Sequence, residues 1–231
     1  MMNVKPGDIV ITSITLARSA EARLEILNAL PGRSAIGPLC LGRTVRGGAV
    51  PLVGPEHLSQ LAFAIDFIQS DSLAKTILID GAVGRITHLG ALCGSQFLYC
   101  ARADYASFRR VAENIELVSS LADLPLDVTD AEDDSNGKLH IDGPLTTSVL
   151  EKIQDETTRL CIGNFTDCFL DAAAFRRACQ RFEITVQRRV PLLGFVVALK
   201  NISRNAFLEA VPSASRRVFF NPFELEAANV P

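Results

Sequence analysis

Hydrophobic and polar residues alternate with a strand-like period in the first part of the chain. Residues 8–12 are rich in β-branched side chains and follow Pro6-Gly7, a turn signal. Residues 20–27 alternate polar and apolar positions with a period of two, which favours a strand, although a short helix also fits. This part of the sequence therefore predicts a β-rich N-terminal segment.

A hairpin is predicted at Gly47 and Gly48. These glycines separate the apolar runs 39–45 and 49–53. A pair of glycines supplies the positive φ angles that a two-residue hairpin loop requires. We therefore expect the two runs to pair with each other as neighbouring antiparallel strands.

From Gly54 onwards the pattern changes to alternating helices and strands. Apolar residues follow Pro55 at helical spacing, and the short apolar run Thr76–Ile79 predicts a strand that ends at Asp80. Asp104 is the predicted N-cap of the next helix, with Tyr105 on its apolar face. The remaining predictions are helices within 104–118, 144–153, 171–181 and 203–211, and strands within 96–100, 139–141, 159–163, 183–187, 192–199 and 217–220.

Strands separated by helices of this length form right-handed βαβ units with parallel strands. The sequence therefore predicts an α/β fold, with a largely parallel sheet flanked by helices and a β-rich N-terminal segment. The chain has 231 residues, of which 48% are hydrophobic and 21% charged, so a buried core is expected. We interpret residues 1–231 as a single α/β domain.

The acidic, turn-rich loop 127–138 is the best internal boundary, and it would divide 1–126 from 139–231 as subdomains. The composition of this loop is similar to that of a calcium-binding loop. Its spacing differs, because no glycine follows three alternating oxygen ligands and no glutamate ends the loop. We therefore expect a solvated loop here.

The charge and hydropathy patterns exclude two classes of partner. The formal net charge is -3 and the basic residues are scattered, so the basic patch of a nucleic-acid-binding protein is missing. The longest apolar run, 190–199, is about half the length of a membrane-spanning helix. The N-terminus lacks the apolar core of a signal peptide. We expect a cytoplasmic protein that binds neither nucleic acid nor membrane.

The cysteines and histidines do not form a recognisable metal or redox motif. None of the six cysteines belongs to a CxxC pair, and cysteines in a reducing compartment behave as small hydrophobic residues. His88, Cys93 and Cys100 lie near one another, but their spacing matches neither zinc ligands nor a cysteine–histidine nucleophile pair. His140 has no evident partner. We expect no metal and no cofactor.

The most distinctive local chemistry follows the predicted strand Thr76–Ile79. Asp80 and Gly81 come directly after it, and Arg85 and His88 follow within one turn or loop. Ligands bind at the carboxyl ends of parallel strands, and arginine binds carboxylate or phosphate. These four residues are the predicted ligand- or partner-binding site. A tight βα turn in which Arg85 pairs with Asp80 explains the same residues without any ligand.

Four stretches of the chain, in order, share motifs with one protein family. They are Arg23–Leu27 with Pro51–Pro55 and Gln60-Leu61; Ile77–Ala82 with Arg85; Ile141–Thr146 with Val149-Leu150; and Phe165-Thr166 with Phe169 and Val190–Leu193. They resemble the P-loop-containing subunit of the reactivating factor for the adenosylcobalamin-dependent enzymes lysine 5,6-aminomutase and ornithine aminomutase. The resemblance covers most of the chain through short motifs.

The chain departs from this family in one decisive respect, because it contains no GxxxxGK[ST] motif to hold a nucleotide. The resemblance therefore implies a non-catalytic accessory protein that acts through protein–protein contact. Its partner would be a P-loop protein, which supplies the nucleotide chemistry, or a cobalamin-dependent aminomutase. Two alternatives stay open. One is a small-molecule-binding domain or enzyme that uses the crevice after Asp80, and the other is a structural subunit of a larger complex.

Overall fold

The structure, a computed structural model, describes residues 1–32, 34–80, 94–127, 137–154 and 156–221. The chain divides into two compact units, Met1–Ala82 and Val83–Pro231, which we call the N-terminal unit and the C-terminal unit. Each unit is described by itself. Of the acidic loop predicted as a boundary, residues 128–136 lie outside the described part of the chain.

The N-terminal unit is built on short antiparallel sheets. Strand β4 lies between β2 and β3 in a three-stranded sheet, and β1 pairs with β5. The β-rich N-terminal segment predicted from the sequence is therefore confirmed. Its elements are β1 Met2–Val4, β2 Ile9–Ser13, α1 Ile14–Ser19, β3 Arg23–Ala29, β4 Leu39–Arg46, β5 Gly48–Val50 and α2 Leu58–Ser70.

The hairpin predicted at Gly47 and Gly48 is wrong. Strand β5 follows β4 directly but pairs with β1, so the two glycines connect strands of different sheets. Both glycines are tightly enclosed: a Cβ on Gly47 would lie 2.9 Å from the carbonyl oxygen of Val4, and one on Gly48 would lie 2.9 Å from the backbone nitrogen of Ala22. The glycines thus permit close packing of the backbone here and do not form a hairpin turn.

Buried polar side chains hold the elements of the N-terminal unit together. The Thr12 hydroxyl donates to the carbonyl oxygen of Pro51 at 2.6 Å. Gln60, on the first turn of α2, is almost fully buried and its amide nitrogen donates to the carbonyl oxygen of Pro31 at 2.7 Å. Its amide oxygen accepts from the backbone nitrogen of Glu56. These bonds satisfy polar groups that burial would otherwise leave unpaired.

The strand predicted over Thr76–Ile79 is absent from the structure. These residues adopt irregular backbone and pair with no strand in the described part of the chain. Leu78 is 86% exposed. An apolar run of four residues predicts a buried strand only if a sheet edge is available to receive it, and periodicity alone cannot show that.

The C-terminal unit contains two separate three-stranded parallel sheets, in the orders β11-β10-β6 and β7-β8-β9. The α/β class is confirmed, whereas the largely parallel sheet is confirmed only for this unit and is divided in two. Its elements are β6 Phe97–Asp104, α3 Phe108–Ala122, β7 Lys138–Ile141, α4 Thr147–Leu150, β8 Arg159–Ile162, α5 Ala172–Arg181, β9 Glu183–Val186, β10 Leu192–Lys200, α6 Arg204–Ala210 and β11 Val218–Phe220, with 3-10 turns at Phe165–Asp167 and Ser215–Arg217.

Helices α3 and α6 pack on one face of the β11-β10-β6 sheet. Phe195 and Val197 of the central strand are fully buried and join Ile115 of α3 and Phe207 of α6 in one apolar cluster. The Phe207 ring lies 5.9 Å from the ring of Phe108. The core of this layer therefore depends on large side chains contributed by the centre of each element.

Helix α3 begins later than the sequence predicts. Ser107 is its N-cap, and the side chain of Asp104 accepts hydrogen bonds from the backbone nitrogen of Ser107 at 2.8 Å and from its hydroxyl at 2.7 Å. These bonds lower the pKa of the Asp104 carboxyl. Tyr105, predicted on the apolar face, is 89% exposed.

Within the described residues, no helix has both the length and the apolar character needed to cross a bilayer.

Candidate functional site

The predicted site residues are only partly covered by the structure. Asp80 is exposed and lies on irregular backbone, and the residues directly before it do not form a strand. Gly81, Arg85 and His88 lie outside the described residues. The grouping of these four residues therefore stays a prediction, but its premise, a strand ending at Asp80, is not met.

A different group of polar residues lies on one face of the β7-β8-β9 sheet. Alternate residues of a strand share a face, and the parallel register places equivalent residues of the three strands side by side. The opposite face is apolar and carries buried Leu160, Ile162 and Ile184. Two polar rows result, Lys138–Arg159–Glu183 and His140–Cys161–Thr185.

Asp127 joins this polar face from the neighbouring chain segment. Its backbone nitrogen donates to the carbonyl oxygen of Val186 at 2.8 Å, which places the residue beside β9. One oxygen of its carboxylate lies 2.6 Å from the Lys138 ammonium, and the two side chains are only 12% and 10% exposed. Such an ion pair is largely removed from water, so each charge depends on the other.

Asp127, His140 and Cys161 bring three potential metal-ligating atoms together. One oxygen, one ring nitrogen and the sulfur all lie within 4.8 Å of one another. Cys161 is fully buried, whereas His140 is exposed. Together with Lys138, these residues form what we call the Asp–His–Cys cluster.

Cys161 is not placed to act as a nucleophile. Burial raises the pKa of its thiol, and the hydrogen bond to Asp127 raises it further, while a hydrogen bond from Thr185 has the opposite effect. A reactive cysteine is partly exposed and has a depressed pKa, because the thiolate is the reacting species. The cluster therefore suits polar packing or metal ligation better than covalent catalysis.

The sequence does not reveal this cluster. Its pattern predicts a solvated loop over 127–138, a small hydrophobic role for Cys161 and no evident partner for His140. The available signal was the polar residue at every second position of three successive strands, such as Lys138 and His140 in β7. That alternation predicts a polar sheet face, but it does not predict which residues meet there.

The β11-β10-β6 sheet has a second notable surface. Its face opposite Phe195 carries Leu98 and Phe219, which are 50% and 56% exposed and belong to the two outer strands. Val196 of the central strand pairs with Phe219, and Gly194 pairs with Leu98. Gly194 lies directly beneath the Phe219 ring. We call this surface the outer apolar face. Parallel sheets normally have both faces covered, so half-exposed apolar side chains on this face are unusual.

A cavity of about 370 Å³ lies at the start of β10, where Leu192 lines it. Its charged lining includes Arg217, whose guanidinium donates to Asp123 at 2.8 Å. Asp80 is not among its lining residues. Because an ion pair already occupies this arginine, the cavity gives little support to a small-molecule site.

The accessible thiols can be predicted residue by residue. Cys100 and Cys179 are exposed, Cys40 is buried, and burial raises the pKa of Cys168 to about 11. We expect Cys100 and Cys179 to react with iodoacetamide in the native protein. Cys168 should react about 100-fold more slowly at pH 8 than in the unfolded chain, because its thiol stays protonated until the pH approaches 11.

Mass spectrometry of the alkylated peptides as a function of pH measures this difference. The native rate at Cys168 should rise steadily between pH 8 and 11. A rate at pH 8 equal to that of the unfolded chain would contradict the burial of this thiol, and a native disulfide would contradict the free state of the five described cysteines.

Comparison of the chain with protein-family models, curated proteins and solved structures gives no match.

Proposed function

We propose that this chain is a non-catalytic accessory protein related to the reactivating factors of adenosylcobalamin-dependent aminomutases. In this proposal it acts through protein–protein contact, and a partner with a P-loop supplies any nucleotide chemistry. The four ordered motifs support the relationship. The absence of GxxxxGK[ST] from the sequence supports an accessory role.

The outer apolar face is the observation that supports contact with another protein. Leu98 and Phe219 lie on the two outer strands of a sheet whose other face is already covered by α3 and α6. The Phe219 ring covers Gly194, the register partner of Leu98. Large apolar side chains in the centre of a surface contribute most to protein association when a partner excludes water from them. The proposed partner is a cobalamin-dependent aminomutase or a P-loop protein, by resemblance.

The alternative, a small-molecule-binding domain or enzyme at the crevice after Asp80, has less support. A ligand crevice in an α/β sheet forms where a parallel strand ends. Residues 76–79 are not a strand, and the 370 Å³ cavity is lined by other residues. The accessory function is therefore the better-supported proposal.

Affinity purification of the tagged full chain from its native cells, followed by mass spectrometry, tests the proposal. We expect to recover an adenosylcobalamin-dependent aminomutase or a P-loop protein. The variants Leu98→Lys and Phe219→Lys should reduce recovery of that protein at least tenfold, since about 1.4 kcal/mol of lost contact free energy is enough for this. Phe169→Lys changes an equally exposed phenylalanine outside the sheet and serves as the matched control.

Two results would contradict the proposal. One is that neither kind of protein is recovered by a bait whose melting curve is normal. The other is calorimetric binding of Mg-ATP to the chain alone with a low-micromolar Kd, because that affinity, about -8 kcal/mol, requires dedicated phosphate contacts. Equal loss of recovery in Phe169→Lys would show that the outer apolar face is not the contact.

A further inference from the structure

We propose that Asp127, His140 and Cys161 bind one zinc-class divalent cation on the polar face of the β7-β8-β9 sheet. This inference goes beyond the proposed function and does not depend on it. It also departs from the expectation, based on residue spacing, that the chain holds no metal. The ligands come from separate segments, so spacing along the chain does not reveal them.

The distances between the three donor atoms are close to those of a zinc site. With metal–ligand bonds of about 2.0–2.3 Å, tetrahedral geometry places donor atoms roughly 3.3–3.8 Å apart. The three atoms already lie within 4.8 Å of one another. Closing around an ion therefore shortens these separations by at most about 1–1.5 Å, which rotation of the exposed His140 ring can supply in part.

The kinds of ligand select the metal. A sulfur, an imidazole nitrogen and a carboxylate oxygen form a mixed set that suits borderline-soft ions such as Zn²⁺, whereas Mg²⁺ and Ca²⁺ prefer oxygen ligands alone. Three protein ligands leave a fourth coordination position. Because His140 is exposed and Cys161 is buried, that position faces solvent on the side of His140.

Neighbouring side chains support the ligands as they do in zinc proteins. The side-chain amide nitrogen of Gln187 lies 3.4 Å from Nδ1 of His140. With the amide turned over, its oxygen accepts from Nδ1–H, the tautomer that leaves Nε2 free to bind the ion. The Thr185 hydroxyl, which donates to the carbonyl oxygen of Leu160 at 3.3 Å, also lowers the pKa of the Cys161 thiol. Partners of this kind fix the orientation of ligating groups and favour the metal-bound form. Cys161 must lose its thiol proton to solvent when it binds the ion.

Lys138 competes with the metal ion for the carboxylate of Asp127. Its ammonium lies 2.6 Å from one Asp127 oxygen, where it neutralises the carboxylate in the absence of a metal. An incoming cation must share or displace this contact against the repulsion of a like charge. The variant Lys138→Met removes the competitor while keeping similar length, so it should bind zinc more tightly than the wild type.

Titration of the purified full chain with Zn²⁺ against a chromogenic chelator tests the site. We expect one ion per chain, and Co²⁺ in place of Zn²⁺ should show a thiolate-to-metal charge-transfer band. The variants Cys161→Ser and His140→Ala should lose more than about 100-fold in zinc affinity. This loss is larger than the one expected when a residue that only supports a ligand is removed. Cys100→Ser and His57→Ala, which change a cysteine and a histidine outside the cluster, should bind as the wild type does.

Lys138→Met should gain roughly tenfold in zinc affinity and Gln187→Ala should lose roughly tenfold. His140→Ala changes an exposed side chain and stays informative if Cys161→Ser fails to fold. The proposal is overturned if the chain binds no stoichiometric zinc. It is overturned equally if His140→Ala binds as tightly as His57→Ala, in which case the cluster is only a polar packing network.

Discussion

Replacing Phe207 with alanine is expected to lower the free energy of unfolding by about 3–5 kcal/mol. Phe207 of α6 is fully buried in the apolar cluster that joins α3 and α6 to the β11-β10-β6 sheet. Its ring contacts those of Phe108 and Phe220, at 5.9 and 6.3 Å between centroids. Truncation removes the buried ring and leaves a cavity that two packed helices and a sheet cannot close.

Urea melts followed by far-ultraviolet circular dichroism measure this effect. Tyr105→Ala, which removes an aromatic side chain that is 89% exposed, is the matched control and should change stability by no more than about 0.5 kcal/mol. A loss below about 1 kcal/mol for Phe207→Ala would show that the cluster relaxes around the missing ring. The packing described for this layer would then be wrong.

Breaking the ion pair between Asp127 and Lys138 is expected to lower the free energy of unfolding by about 3–5 kcal/mol. Either single variant, Asp127→Asn or Lys138→Met, breaks the pair. The measurement is made with a metal chelator present. The pair is 2.6 Å long and both side chains are nearly excluded from water. Each single substitution removes this ion pair while the remaining charge stays largely excluded from water. The double variant removes both charges, so it should cost less than the sum of the two single variants.

The exposed pair between Glu25 and Arg43 provides the comparison. The two charged groups are 3.5 Å apart, and the side chains of Glu25 and Arg43 are 55% and 42% exposed, so Glu25→Gln should cost at most about 1 kcal/mol. Urea melts of the wild type, Asp127→Asn, Lys138→Met and the double variant give the coupling energy of the pair. Additive losses at Asp127 and Lys138, or losses no larger than that of Glu25→Gln, would mean that water reaches this pair in solution.

Local pattern determined much of the C-terminal unit. The strands β6 to β11 and the helices α5 and α6 lie within a few residues of the predicted ranges. The prediction succeeded there because each apolar face follows one period over several residues, and Asp171 and Ser203 cap the two helices with their own side chains. These are interactions between near neighbours in the chain.

Strand pairing was decided only by the tertiary structure. The glycines at 47 and 48 suggested a hairpin, but β5 found its partner in β1, far away in the sequence. The apolar run 76–79 has no strand partner in the described part of the chain. A period of two shows that a segment can form a strand, but backbone hydrogen bonds to another strand form it.

At the candidate metal site, too, the sequence determined one part of the arrangement and the tertiary structure decided the other. The sequence by itself determined that β7, β8 and β9 carry polar residues at alternate positions, which follows from the geometry of any strand. Only the parallel register placed His140 beside Cys161, and only the backbone bond from Asp127 to Val186 brought the carboxylate to them. Chemical groups from distant positions meet through long-range pairing and burial, and neither is encoded by the spacing of those groups along the chain.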